Sequence, residues 1–264
     1  MNVDFLFPIA VFTLRYFVLG GLIFLIFYKL FSKKLSTSKI QSRLAKHKDF
    51  IREITHSLKS NLILGGMVGI FAYTPLRDYS FLYRDVNEYP LWWMPVSLLV
   101  ALFIHDTYFY WMHRTIHHPR LYKTFHILHH KSVNPSPWAS FAFNTSEAVL
   151  EALIVPILMW VLPMHYTMLV SFGFLSFFGN VYGHLGYEIT PRWFRHTWLF
   201  EILNTSVYHN VHHSRFKGNY SLYFRHWDRW RNTEHPDYVK EFDELQAKRF
   251  GENVLEREAH LVSK

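Results

Sequence analysis

The chain has no cysteine among its 264 residues. That absence excludes disulfides, iron–sulfur clusters, haem thiolates and cysteine zinc sites, so any metal must be held by nitrogen and oxygen. Acidic residues are outnumbered, 20 Asp and Glu against 28 Lys and Arg, for a formal charge of +8. No basic domain stands apart from the hydrophobic runs. The charge therefore points to an anionic membrane surface or an acidic protein partner, and no nucleic acid is expected. Internal repeats, low-complexity segments and a glycine-rich dinucleotide motif are all missing. With no fused flavin or haem module either, redox chemistry would need electrons from outside the chain.

Apolar and aromatic residues are plentiful. Half the residues are hydrophobic and 19% are aromatic, with 25 Phe, 16 Tyr and 9 Trp, a composition suited to lipid-facing surface and interfacial belts. The first apolar run, residues 5–30, is interrupted by Arg15 and lacks a basic leader, so it reads as a retained anchor. A strongly basic stretch, residues 29–59, follows and is cytoplasmic by the positive-inside rule. A second span is expected near residues 61–73, and a third from about Leu91 into the first histidine cluster. Residues 148–182, broken by Pro163, Met164 and His165, read as a helical hairpin of two short spans. The expected fold is all-α: a multi-pass, polytopic helical membrane protein with a cytoplasmic, histidine-rich catalytic cap. Three units are expected: N-terminal spans and basic loop (1–100), a catalytic domain containing the hairpin (101–233), and a charged cytoplasmic helix (234–264). In that last unit Tyr238, Phe242, Leu245 and Phe250 are spaced for one apolar face.

Three histidine clusters carry the chemistry: His113 with His117; His126 with His129 and His130; and His209 with His212 and His213, with a lone His184 between the last two. Spacings of three and four place imidazoles about one turn apart on a helix, where neighbours can turn toward a shared centre. Unpartnered imidazole is costly to bury, so packing alone does not explain so many. Nine are too many for one tetrahedral ion and suit two ions held by four or five nitrogens each. The topology sets all nine on the cytoplasmic side and His165 at the opposite tip, which excludes His165 as a ligand. His105 and His118 lie off the ligand face. Asp106, Tyr110, His113 and His117 share one helical face, which leaves Asp106 placed to accept a hydrogen bond from a ligand imidazole. Glu188, four residues after His184, is open between ligand, supporting acceptor and surface residue.

Imidazole supports zinc, copper, nickel and iron alike. Two redox-active irons at a membrane boundary can take lipid from one side and electrons from the other. A zinc hydrolase would need an open, low-coordination site with a glutamate base. A histidine-rich metal transporter would hold its site near the bilayer midplane, whereas these clusters lie beyond the span ends.

Residues 106–233 resemble the sterol desaturase and fatty acid hydroxylase family of membrane di-iron enzymes. The resemblance is carried by Asp106 to Arg114, His117-His118-Pro119, Leu121-Tyr122-Lys123, the three clusters and Trp227-Asp228-Arg229. Ser136-Pro137-Trp138-Ala139-Ser140 and Ala142-Phe143 look most like the C-5 sterol desaturase branch. It implies two non-haem iron ions on His113, His117, His126, His129, His130, His184, His209, His212 and His213; Asp106, Tyr110, Glu188 and Asp228 are expected to support these ligands from outside. Fatty acid 2-hydroxylases of the family carry a further histidine where this chain has Glu188, and His196 matches no motif position. The implied activity is hydroxylation or desaturation of a sterol-like lipid drawn from the bilayer, with dioxygen and a ferredoxin or cytochrome b5-like electron donor. Fatty acyl, sphingolipid and carotenoid hydroxylation are the nearest alternatives.

Overall fold

The computed structural model describes residues 3–43 and 45–251. Its first helix, α1 (Leu6–Leu30), contains two π-helical stretches, Tyr16–Gly20 and Leu25–Leu30. Among the described residues α1 is the one helix long and apolar enough to cross a membrane by length and composition. Helix α2 (His47–Tyr73) starts where the Asp49 carboxylate accepts the Lys46 backbone N–H at 2.9 Å, satisfying an otherwise orphaned donor. It packs closely on α1: a Cβ at Gly65 would stand 2.5 Å from Ile9 Cα. Helix α3 (Trp93–Ile116) ends just before His118 and Pro119, because the residue before a proline disfavours the helical conformation. Pro119 then opens α4 (Pro119–Phe125), its missing N–H harmless at a first helical position, and α5 (Ile127–His130) follows at once.

The expected second and third spans fall on α2 and α3, and the expected hairpin on α6 (Thr145–Ala152), α7 (Ile154–Val161) and α8 (Tyr166–Gly183). None of these is, by length and composition, long and apolar enough to cross a membrane as α1 is. At the hairpin tip a two-residue strand, Met164–His165, pairs in parallel with Leu82–Tyr83. Trp93 Nε1 donates to Pro163 O at 2.8 Å and His165 Nε2 contacts Arg84 O at 3.0 Å, so His165 sits at the opposite end of α3 and α8 from the histidine clusters.

Beyond the hairpin come α9 (Trp198–Ile202), α10 (Ser206–Arg215), α11 (His226–Trp230) and α12 (Tyr238–Phe250). Thr205 Oγ1 accepts the Tyr208 N–H at 3.2 Å and caps α10. Tyr238, Phe242 and Leu245 of α12 are buried against Val207, Tyr208 and Val211 of α10. Phe250, expected on that buried face, is 42% exposed and lies beside the Arg249 guanidinium, in the last turn before the helix ends at Gly251. Residues 252–264 of the expected C-terminal unit lie outside the described residues.

Candidate metal centre

Four segments deliver the nine histidines: the end of α3, the α4–α5 corner, the C-terminus of α8 and the whole of α10. They fall into two groups. His113, His117, His126, His130 and His212 form one, and His129, His184, His209 and His213 the other; within each group the donor atoms lie within 4.8 Å of one another. Adjacent helical residues diverge by roughly 100°. His129 and His130 therefore serve different groups, as do His212 and His213. All but His117 are buried.

The donor set fits metal. His113 and His126 face each other Nε2 to Nε2 at 3.0 Å, His117 and His130 at 3.1 Å. In the second group His184 Nε2 stands 3.2 Å from His129 Nε2, 3.1 Å from His209 Nε2 and 3.2 Å from His213 Nε2. A metal–nitrogen distance of roughly 2.1 Å separates neighbouring donors by about 3.0 Å in an octahedral shell and about 3.4 Å in a tetrahedral one. The outward Nδ1 atoms meet acceptors: His113 on Tyr220 O at 2.8 Å, His184 on Asn180 O at 2.8 Å and His212 on Gly218 O at 2.7 Å. Those bonds put the proton on Nδ1 and leave the Nε2 lone pair facing inward. His212 Nε2 is buried with no hydrogen-bond partner, an orphan that a metal would satisfy. Burial holds His184 and His212 down to about 4, and pushes His126, His129, His130, His209 and His213 well below the ordinary value, with neighbouring imidazoles adding to the shift in the last five. Such neutral imidazoles are the ligating form.

Glu147 is a residue the sequence reading passed over. Its Oε1 accepts from His126 Nδ1 at 2.5 Å, and the carboxylate is buried in the first turn of α6. The available signal was an acidic residue just after Asn144, where helix α6 begins.

Other expected supports act one layer further out. Asp106 does not reach a cluster imidazole; its Oδ1 accepts the backbone N–H groups of Leu222, Tyr223 and Phe224 at 3.1, 2.6 and 3.2 Å. The helical face aims Asp106 at the 220–225 loop, whose amides lie closer than any ligand ring. Asp228 likewise accepts from Tyr220 N, Ser221 N and the hydroxyls of Tyr208 and Thr233. Together the two carboxylates fix the loop whose Tyr220 carbonyl holds His113. Tyr110 contacts Thr233 Oγ1 at 3.0 Å and stacks on Trp227. Glu188 belongs to neither nitrogen group: it takes the N–H groups of Ile189, Thr190 and Val207 and the Tyr182 hydroxyl, tying α8 to α10. His105 bonds Tyr223 Oη at 2.9 Å, His118 accepts the Arg120 N–H at the start of α4, and His196 lies in the 3₁₀ turn Arg192–His196.

A cavity of ≈ 250 Å³ opens beside the two groups, between α1, α2, α3, α6, α7 and α8. Its lining is mainly apolar. Phe109 and Phe143, both in its wall, pack on His113 and His129 with ring centroids 5.0 and 5.2 Å apart. On the other side a shallow groove bordered by Lys123, Arg215 and Lys217 reaches His117.

Residues 98–233 match the fatty acid hydroxylase family model. The chain is 33% identical over 228 residues to a lathosterol oxidase of Mus musculus, covering 80% of this chain and 74% of that one. It is 28% identical over 187 residues to a Delta(7)-sterol 5(6)-desaturase of Gibberella zeae, covering 69% and 56% of the two chains. A third relative, a Delta(7)-sterol 5(6)-desaturase of Schizosaccharomyces pombe, is 32% identical over 159 residues, covering 60% and 50%. No solved structure matches. The chain belongs to the fatty acid hydroxylase family, in its C-5 sterol desaturase branch, and is an oxidoreductase of that family.

Proposed function

We propose that this chain is a membrane-bound di-iron oxygenase that hydroxylates or desaturates a sterol-like lipid, using dioxygen and electrons from a separate carrier. The carrying observation is the pair of inward-facing imidazole groups separated from an apolar cavity by Phe109 and Phe143. In this reading His113, His117, His126, His130 and His212 hold one iron, and His129, His184, His209 and His213 hold the other. Two irons bound there supply the reduction of dioxygen and the attack on an unactivated C–H bond. The chain's own residues do the rest. Glu147 and the carbonyls of Tyr220, Asn180 and Gly218 hold imidazole protons outward, keeping four rings in the ligating tautomer. The cavity excludes water and presents a lipid carbon to the site, and its shape decides between hydroxylation and desaturation.

A sterol-like substrate draws support from the activities named for the relatives. Exposed apolar side chains on α3 and α8, among them Leu99, Phe103, Phe174 and Phe178, suit lipid contact and support a multi-pass arrangement. The basic segment 29–59 then sets the histidines on the cytoplasmic side. On this basis the chain divides into N-terminal spans (1–100), a catalytic unit (101–233) and a cytoplasmic C-terminal segment. Lys123, Arg215 and Lys217 around the groove to His117 suit an acidic ferredoxin or a cytochrome b5-like donor.

The test is Mössbauer spectroscopy of protein expressed with isotopically enriched iron, followed by oxygen-dependent assays on sterols, fatty acyl lipids, sphingolipids and carotenoids. A coupled pair of irons with sterol turnover is expected. A preparation that forms no coupled pair even after iron loading would overturn the reading.

A further inference from the structure

Glu151 is the single acidic side chain lining the apolar cavity among the described residues. Most other polar groups deep in that cavity have a partner, although Arg15 Nε has none. The Arg15 guanidinium donates to Gly173 O at 2.6 Å and lies over the rings of Phe12 and Phe177. His105 bonds Tyr223 Oη, and Asn180 Nδ2 donates to Ser140 O at 2.7 Å. Among the described residues no group stands within hydrogen-bonding or ion-pairing distance of the Glu151 carboxylate. An unpartnered carboxyl in an apolar enclosure is costly, and Glu151 lines the cavity, where a bound group could partner it.

Position narrows what that partner is. Glu151 stands one turn beyond Glu147 on α6, and Glu147 holds His126. A group bound at Glu151 is therefore fixed at the histidine end of the cavity. An ammonium group is disfavoured because the Arg15 cation shares the same enclosure. A lipid carboxylate would meet like charge. A hydroxyl can donate to the carboxylate and carries no charge of its own.

We propose that Glu151 is a positioning residue that accepts the hydrogen bond of a hydroxyl group on the lipid and thereby sets which carbons face the imidazole groups. The proposal rests on the lipid-oxygenase reading for the purpose of that site, but its test does not depend on iron or turnover.

The full chain, as purified, is placed in nanodiscs under nitrogen, and equilibrium binding is measured for two matched pairs. These are lathosterol with its 3-deoxy form, and hexadecanol with hexadecane. Wild-type protein is expected to favour the alcohol of at least one pair by roughly two- to ten-fold, the range of a single buried hydrogen bond. Glu151→Leu should erase that preference while leaving the hydroxyl-free ligand bound as before, and Glu151→Gln, which keeps an acceptor oxygen, should restore most of it. The idea fails if wild type favours neither alcohol, or if the preference survives in Glu151→Leu. The wild-type arm decides even if Glu151→Leu does not fold. A missing di-iron signal with the preference intact would sink the oxygenase reading alone.

Discussion

Glu147 and His126 come from segments 21 residues apart and meet at 2.5 Å, both buried. The contact fixes the His126 proton on Nδ1 and turns Nε2 toward His113. Losing the outer partner of a ligating histidine typically costs about ten- to a hundred-fold in metal affinity. Glu147→Ala is expected to show that loss in a chelator competition, with Glu147→Gln intermediate because it still offers an acceptor. Unchanged iron retention in both variants would remove Glu147 from the site.

His129 and His130 are neighbours in sequence but serve different nitrogen groups, so the two alanine variants should fail differently. His130→Ala removes one nitrogen of five, and His129→Ala one of four. Both are expected to lose turnover and to remain folded in the membrane. Iron analysis should show the greater depletion in His129→Ala, where three donors remain. Turnover retained by either would break the ligand assignment.

Burial sets a pH dependence for the metal-free protein. His184 and His212 are held at about 4 when folded, against 6.5 in the ordinary state. The unfolded chain therefore binds more protons between those values, and stability rises with pH through that window. The contribution is fully present above about pH 6.5 and is lost as pH falls toward 4, by about 1.4 kcal/mol per pH unit for each histidine. Thermal melts of the chelator-treated protein from pH 7.5 to 5 should show a falling midpoint. A flat profile would mean these imidazoles are not buried as the fold has them.

Asp106 illustrates what was legible in the sequence and what was not. Histidine spacing of three and four marks eight of the nine ring positions, because helical geometry is local, and leaves out the lone His184. The same periodicity puts Asp106 on the ligand face but cannot reveal that the backbone of residues 222–224, more than a hundred positions away, folds onto its Oδ1. Glu147 was missed for the same reason: its partner is tertiary. The all-α class and the hairpin turn at Pro163 follow from hydropathy and proline. The expected span lengths were harder, since α3 ends in polar ligand-bearing turns that dilute its apolar run. Asp106→Ala frees three backbone donors at once. It is expected to destabilise the fold by about 3 kcal/mol or more, at about one or more per unsatisfied group, and to lower the melting temperature well below that of His129→Ala. Equal melting of the two variants would contradict the clamp.

Gly65 and Gly66 are adjacent on α2 yet should respond oppositely to the same substitution. A methyl group at Gly65 would meet Ile9 Cα at 2.5 Å, Ile9 N at 2.9 Å and Pro8 O at 3.0 Å, all backbone atoms that no rotamer change can move. Relief requires α1 to shift from α2, and forced overpacking of this kind costs about 1–3 kcal/mol. At Gly66 nothing lies within 4 Å. Alanine there gains helix propensity of about 0.8–1 kcal/mol at no steric expense. Thermal unfolding in detergent should therefore place Gly65→Ala below wild type and Gly66→Ala at or above it. Because α1 also lines the cavity through Phe7, Val11 and Phe12, Gly65→Ala should weaken lipid binding as well, whereas Gly66→Ala should not. Identical melting for the two variants would show that α1 does not pack on α2 along this face.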